Sequence, residues 1–178
     1  STVYGIDVVL PDITYLISKS NKIAGIFLTH AHDDHIAAIP HILKYMRVPV
    51  YGTSFTLAVV KELLTEHNMN PADYDLKEVT EATELRFGRN QVKFIGVNHS
   101  VPEAVAIAIK TPDGNIVYTG NYNFDQNGHD LYKTNYEQLT RIASEKVLAL
   151  LPESIAAIND INRGSIIHFE HRLNKIFM

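Results

Sequence analysis

The apolar residues of this chain first group into short runs of the kind that form buried strands. Runs rich in β-branched and aliphatic residues predict strands, and they lie at residues 23–29, 48–52 and 147–151. Two longer stretches alternate apolar and polar positions around a turn and predict β-hairpins. Their turns are Gly88-Arg89-Asn90 and Pro112-Asp113-Gly114.

Other segments show the 3.6-residue spacing of helices. Residues 53–68 predict the best helix, because Leu57, Val60 and Leu64 share one stripe. Thr53 or Ser54 can cap its start. Shorter helices are predicted at residues 13–22, 34–46 and 136–146. Pro40 should kink the second of these, unless residues 33–38 form a first turn and a second segment starts at Pro40. Strands that alternate with helices, together with a central block of hairpins, indicate an α/β fold.

Composition and charge change this picture little. With 178 residues, 46% hydrophobic and 20% charged, the chain resembles one ordinary globular domain with a sizeable core. It contains no cysteine, which excludes disulfides and thiolate zinc sites. No apolar run approaches the ~20 residues that a membrane span needs. We therefore expect a cytoplasmic protein with no membrane partner. The net charge of −4 gives no general sign of nucleic-acid binding, although a local basic groove can coexist with it.

Positions 30–35 hold three histidines and two aspartates directly after a predicted buried strand. Four of them form the pattern H-x-H-x-D-H: His30, His32, Asp34 and His35. Alternate residues at a strand end can point the same way, so His30 and His32 can bind one ion. Asp34 and His35, at the start of the next helix, can face a second ion or the water of the first. Imidazole and carboxylate suit Zn²⁺ where thiolates are absent. A solvated loop would explain a lone histidine, but this cluster favours a metal site.

The segment around this cluster resembles a known signature. GIFLTHAHDDHIAAIPHIL, residues 25–43, resembles the signature of the metallo-β-lactamase superfamily. The flanking segments are similar, in order and spacing, to those of the ribonuclease J family, which belongs to the β-CASP branch. These segments are GIDVVLPDITYL, VPVYGTSFTL, VNHSVPEAVAIAIKTPDGNIVYTG and FDQ. The likeness runs from about Tyr4 to Leu151 and so covers most of the chain.

The resemblance implies the metallo-β-lactamase αββα sandwich, here partial, with two zinc ions at the sheet edge. His30, His32 and His99 would bind one zinc. Asp34 and His35 would bind the other and are the expected catalytic residues, with Asp34 orienting or deprotonating the attacking water. His99 lies in the segment VNHS, which ends the second strand of a predicted hairpin.

Position 121 departs from the family pattern, which places a bridging aspartate after YTG. This chain has Asn121 there. An amide offers one neutral oxygen, and the loss of a negative charge between two dications weakens the second site most. The family pattern therefore implies two zinc ions, while one or none is an alternative for this chain. A second interpretation makes Asn121 a turn residue after Gly120 without metal contact.

Two further features concern the end of the chain. Pro152-Glu153-Ser154 stands where the family has Ser-Asp-Ser. We expect the chain to be a fragment or a truncated relative of a longer protein. Residues 1–155 would form the metallo-β-lactamase-like core, and residues 156–178 would begin a β-CASP insertion or form a C-terminal helix. A partial sandwich leaves one sheet face uncovered, which predicts marginal stability or self-association.

The function implied by the resemblance is zinc-dependent hydrolysis of RNA phosphodiester bonds in RNA processing and decay, including that of rRNA. Cleavage could be 5′–3′ exonucleolytic, endonucleolytic or both. The implied partners are single-stranded RNA, entering by its 5′ end, and ribonuclease J subunits in a homo- or hetero-oligomer. Asn121 and Pro152-Glu153 favour an alternative, an inactive scaffold subunit of such a complex, whereas the intact histidine motif favours an enzyme. A small-molecule metallohydrolase shares the motif but not the flanking segments.

Overall fold

A computed structural model describes residues 9–123 and 133–154. The helices in those ranges are α1 (Thr14–Ile17), α2 (Asp33–Ile36), α3 (Ile39–Tyr45), α4 (Ser54–Glu66) and α5 (Tyr136–Ala143). The strands are β1 (Ile26–Phe27), β2 (Val50–Gly52), β3 (Leu76–Glu78), β4 (Glu84–Phe87), β5 (Asn90–Gly96), β6 (Val105–Thr111), β7 (Gly114–Tyr118) and β8 (Val147–Leu151). Short 3₁₀ turns cover Ser20–Lys22 and Pro71–Asp73.

The strands form two sheets. The first has the order β1-β2-β3 and is parallel throughout. The second has the order β4-β5-β6-β7-β8, in which the two hairpins give antiparallel pairs and β8 joins β7 in parallel. Both predicted hairpin turns are confirmed, because Phe87 pairs with Asn90 and Thr111 pairs with Gly114.

The alternation of side chains along the strands produces three apolar layers. Val50 on β2 packs with the helices α2 to α4, and its neighbour Tyr51 packs between the sheets. Phe94 on β5 also lies between the sheets, while Ile95 faces the far side of the second sheet. Leu139 of α5 covers that far side. The order is therefore helices, sheet, sheet, helix, and the expected partial αββα sandwich is confirmed.

Several local predictions can be compared with the structure. Pro40 does divide the second helical segment, since α2 ends at Ile36 and α3 begins at Ile39 with Pro40 in its first turn. Strand β3 was not predicted from the sequence. The expected helix or β-CASP start at residues 156–178 lies outside the described residues.

The start of α4 is stabilised by a distant residue. Thr53 occupies the N-cap position as expected, but its side chain makes no capping hydrogen bond there. The Phe55 N–H, one of the free donors of the first turn, donates instead to Glu103 Oε2 at 2.8 Å. Glu103 has a positive φ of 57° in the loop between β5 and β6. This contact joins α4 to the loop that carries His99.

Strand β8 exposes apolar side chains. Leu150 and Leu151 are 59% and 52% exposed, and Tyr118 on the neighbouring strand is 41% exposed. These exposures accord with an uncovered sheet face, and self-association stays a prediction. Within the part of the chain described, no helix has the length and apolar character needed to cross a bilayer.

Candidate metal centre

The candidate site lies where the first sheet meets the second. Just beyond β1, Leu28 N donates to Tyr51 O at 2.8 Å, which continues the pairing with β2. Val105 N, at the start of β6, donates to Thr29 O at 2.9 Å. Thr29 therefore connects the two sheets, and the next residue, His30, is fully buried at their junction.

Three histidines from two loops converge at this junction. His30 Nε2 lies 3.1 Å from His32 Nδ1, and His99 Nε2 lies 3.0 Å from the same His32 Nδ1. All three nitrogens lie within 4.8 Å of one another. The predicted ligands His30, His32 and His99 are thus brought together as a group that can hold a metal ion.

The two separations from His32 Nδ1, 3.0 and 3.1 Å, are close to those around a tetrahedral cation. Two nitrogens that each lie ~2.0–2.1 Å from a tetrahedral zinc are about 3.3–3.4 Å apart. The outer nitrogens of two rings also have oxygen neighbours: His30 Nδ1 lies 3.0 Å from Thr29 Oγ1 and His32 Nε2 lies 3.5 Å from Ser100 Oγ. With the ring protons on those outer nitrogens, the inner lone pairs face one another and are available to a cation.

Burial favours the neutral form of two of these imidazoles, His30 and His99. Desolvation, followed by the repulsion of the neighbouring histidines, lowers the pKa of His30 from 6.5 to about 3. Desolvation also lowers the pKa of His99, with a further contribution from His32. The neutral ring is the form that coordinates metals, so burial leaves His30 and His99 in the form of ligands.

The low pKa of His30 predicts a pH dependence of stability. Between pH 6.5 and about 3 the unfolded chain binds a proton on this ring that the folded chain excludes. Without a cation, the free energy of unfolding should fall as pH falls through this window, by up to about 1.4 kcal/mol per pH unit. Above pH 6.5 the contribution of His30 to the free energy of unfolding is constant. Urea unfolding in chelator across this range measures the slope, and His30→Gln should make it shallower. An unchanged slope in that variant would assign the dependence to other groups.

The second half of the predicted site lies beside the first. The His35 ring centroid is 4.1 Å from that of His30, and His35 Nε2 lies 3.7 Å from Asp34 Oδ2. The Asp34 side chain is 70% exposed, whereas that of His35 is 18% exposed. Both residues lie on α2, and His32 immediately precedes this helix. Asp34 and His35 thus form a pair at the solvent side of the three histidines, and their catalytic role stays a prediction.

Asn121 is placed near the site by the backbone on either side of it. Gly120 packs against Thr29, and Asn123 N donates to Asn98 O at 2.7 Å. The residue is half-buried. The loop therefore runs past both the His30 and the His99 segments, while metal contact by the Asn121 amide stays a prediction.

Gly120 is required at this close approach. Its φ is +57°, and a Cβ added there would lie 2.9 Å from Thr29 Cβ. Gly120→Ala should therefore cost more stability than the ~1–2 kcal/mol of a left-handed residue alone. Gly88→Ala is the matched control, because Gly88 has φ +60° with nothing within 4 Å of the added Cβ. Urea midpoints compare the two, and equal losses would mean that the contact with Thr29 has no consequence.

Several supporting residues were not found from the sequence. Thr29 directly precedes His30, and Ser100 directly follows His99. A hydroxyl residue next to a predicted ligand is a sequence signal for a hydrogen-bond partner of a ligand. Glu103 gave no local signal, because the helix that it caps lies 48 residues away. In the sequence, Glu153 is distinguished only as part of a departure from a family pattern. Its backbone and side chain contact the segment 119–122.

Comparison with known proteins assigns this chain to a class. The family model described as "Beta-lactamase superfamily domain" matches residues 4–163, so the chain belongs to the β-lactamase superfamily. Membership of this superfamily implies a metal ion, and the group of three histidines agrees with that implication.

Two curated relatives that are similar to this chain are both named ribonuclease J2. The chain is 38% identical over 156 residues to "Ribonuclease J 2" of Streptococcus pyogenes serotype M3, covering 88% of this chain and 28% of that protein. It is 39% identical over 153 residues to "Ribonuclease J2" of Bacillus subtilis, covering 86% and 27%. The resemblance to ribonuclease J is confirmed, and the chain spans little more than a quarter of the length of these relatives.

Solved structures agree with the fold. A protein of unknown function from Enterococcus faecalis V583 has a TM-score of 0.52 at 20% identity, covering 80% of this chain and 34% of that one. A metallo-β-lactamase from Cronobacter sakazakii has a TM-score of 0.52 at 16% identity, covering 79% and 62%. At these identities the likeness shows the fold alone.

Proposed function

We propose that this chain provides the metal centre of a zinc-dependent ribonuclease that hydrolyses RNA phosphodiester bonds. The observation that carries the proposal is the convergence of His30, His32 and His99 in a chain whose relatives are named ribonuclease J2. The site contains no thiolate, and neutral imidazoles with nearby carboxylate suit zinc.

The residues of the chain have separate tasks in this proposal. A bound zinc ion would lower the pKa of a water molecule and neutralise charge on the phosphate. The three histidines would hold the cation, and Thr29 and Ser100 lie beside two of their rings and would orient them. Asp34 is an exposed carboxylate beside His35, and it would accept or orient the proton of an attacking water. His35 Nε2 lies 3.7 Å from this carboxylate, and both residues would face a second ion.

The substrate and the setting belong to the same proposal. The substrate is single-stranded RNA that enters by its 5′ end, with exonucleolytic or endonucleolytic cleavage in RNA decay and rRNA processing. The protein acts in the cytoplasm, as a homo- or hetero-oligomer with ribonuclease J subunits. The names of the relatives support the RNA substrate.

A second candidate function is supported by Asn121. Without a carboxylate at this position the site has one negative charge fewer, which favours incomplete metal loading. The alternative is therefore a non-catalytic subunit that binds RNA or an active ribonuclease J partner without cutting.

One experiment separates these functions. Zinc content by elemental analysis is measured beside cleavage of a 5′-monophosphorylated single-stranded RNA, with His32→Ala as the metal-deficient control. Zinc together with cleavage that His32→Ala abolishes supports the ribonuclease. Little zinc and no cleavage, with RNA binding retained, supports the scaffold. Hydrolysis of a lactone or thioester but not of RNA would contradict both.

A further inference from the structure

The His99 loop, residues 97–104, connects β5 to β6 and is anchored on the side of the second sheet. Both backbone groups of Asn98, the residue before His99, are engaged. Its N–H donates to Thr134 Oγ1 at 2.9 Å, and its carbonyl accepts a hydrogen bond from Asn123 N at 2.7 Å. Thr134 precedes α5, the helix that covers the far side of the second sheet. These contacts attach His99 to the second sheet, whereas the other two histidines follow a strand of the first sheet.

Glu103 connects the other end of this loop to the layers of the first sheet. Its Oε2 accepts a hydrogen bond from Phe55 N at 2.8 Å. Phe55 lies in the first turn of α4, and this helix packs in the core of the first sheet through a buried stripe that includes Leu57 and Val60. The contact therefore joins the loop that supplies one candidate ligand to the layers that supply the other two.

The surroundings of Glu103 leave room for this end of the loop to move. Between the described residues, a cleft of about 270 Å³ is lined by the loop, by the start of α4 and by the segment after β3, with Glu103, Ser54 and Thr80 among its lining residues. Glu103 also has a φ of +57°, a conformation that disfavours any residue with a Cβ. A strained backbone beside an open cleft can relax once its side chain is released. The hydrogen bond to Phe55 N opposes that relaxation.

We propose that Glu103 is a positioning residue for His99, and that its hydrogen bond to the start of α4 keeps the His99 nitrogen within reach of a cation held by His30 and His32. This inference rests on the proposed metal centre. Glu103 acts through the loop and not by contact with the cation. With one end of the loop fixed to each sheet, the two halves of the centre keep the 3.0 Å separation between His99 Nε2 and His32 Nδ1.

A purely structural role gives a different expectation. A residue that only stabilises the fold changes the free energy of unfolding but is not linked to metal binding by the folded chain. A residue that holds a ligand in place is linked to metal binding, and this linkage is reciprocal. If the contact of Glu103 favours zinc binding, then zinc binding must favour the contact. The exchange rate of the Phe55 N–H reports that contact in the folded chain.

Hydrogen exchange of the Phe55 N–H, followed by NMR with and without Zn²⁺, tests this linkage in the full chain. Saturating zinc should slow this exchange in the parent by about 10- to 100-fold, the range typical for groups that support metal ligands. The Ala72 N–H is the control amide, because it donates to the Asn70 side chain in a 3₁₀ turn outside the His99 loop. Its exchange rate should not change with zinc.

Calorimetric titration with Zn²⁺ measures the same coupling as a change in affinity. Glu103→Ala should weaken zinc binding by a similar factor, and zinc should no longer slow the exchange of the Phe55 N–H in this variant. Glu103→Gln keeps a side-chain oxygen as the acceptor and should retain most of the affinity of the parent. Glu62→Ala truncates an exposed glutamate within α4 and should leave the affinity unchanged.

Each other outcome overturns the proposal. If zinc does not change the exchange of the Phe55 N–H in the parent, the contact is not linked to the centre, and this result holds even if Glu103→Ala does not fold. Equal zinc affinity in Glu103→Ala and the parent would lead to the same conclusion, and both results leave the metal centre standing. Equal losses in Glu103→Ala and Glu103→Gln would assign the effect to charge rather than to the hydrogen bond. A parent chain that binds no zinc would overturn the proposed metal centre together with this inference.

Discussion

Replacing His99 by alanine is expected to lower the affinity for Zn²⁺ by more than about 100-fold, beyond the range for supporting groups. His99 Nε2 is one of three nitrogens that converge on the site, at 3.0 Å from His32 Nδ1. Without it, His30 and His32 offer two ligands from one loop, and two imidazoles alone leave a tetrahedral cation half solvated. Competition with a chromogenic chelator measures the affinity.

The control for this variant is His67→Ala. His67 caps the end of α4, where its Nδ1 lies 2.9 Å from Leu63 O and its ring contacts His41. The substitution His67→Ala removes one imidazole from the chain away from the site, so the zinc affinity should be unchanged. If His99→Ala binds zinc as tightly as the parent, then the cation does not bind where the three rings meet, and the proposed function fails with it.

Most of the fold could be predicted from the sequence because its signals are local. The 3.6-residue stripe of Leu57, Val60 and Leu64 is buried against the first sheet. The turn at Gly88 is set by a residue whose φ of 60° favours glycine. Pro40 divides a helical pattern because proline has no backbone N–H and its ring clashes with the preceding turn, an effect that is local in the sequence.

The missed features depend on contacts that no local pattern encodes. Strand β3 has three residues of mixed polarity, and its pairing with β2 comes from the tertiary packing. The side chain that caps α4 comes from Glu103, because the loop after β5 passes the start of the helix. Such a contact can be seen only when both segments are placed.

The residues of the candidate site also include some that a local pattern predicts and others that it does not. His30, His32 and His35 were identified from their spacing after a strand, since a strand end fixes the directions of neighbouring residues. His99 lies 67 positions from His32, and its assignment needed the resemblance to a family. Thr29 and Gly120 explain the convergence physically: one joins the sheets, and the other lets a second loop lie against that junction.

Asn121→Asp is expected to raise the zinc content from one equivalent or fewer to two. Two dications ~4 Å apart repel each other, and a carboxylate between them offsets part of that repulsion while giving each an oxygen ligand. A unit charge pair at 4 Å near a protein surface is worth about 4 kcal/mol, so one added charge can decide whether a second cation stays bound. Asp34 and His35 already lie beside the first site as candidate ligands for this ion.

Elemental analysis after dialysis against low zinc gives the number of ions, and RNA cleavage is measured in parallel. Asn90→Asp adds the same charge at the exposed first residue of β5, and this variant should bind no further zinc. A second equivalent with new cleavage activity would mean that one amide limits this centre. A variant that keeps the zinc content of the parent would contradict the expectation, and it would mean that Asp34 and His35 lack a further ligand for a second ion even when position 121 carries a charge.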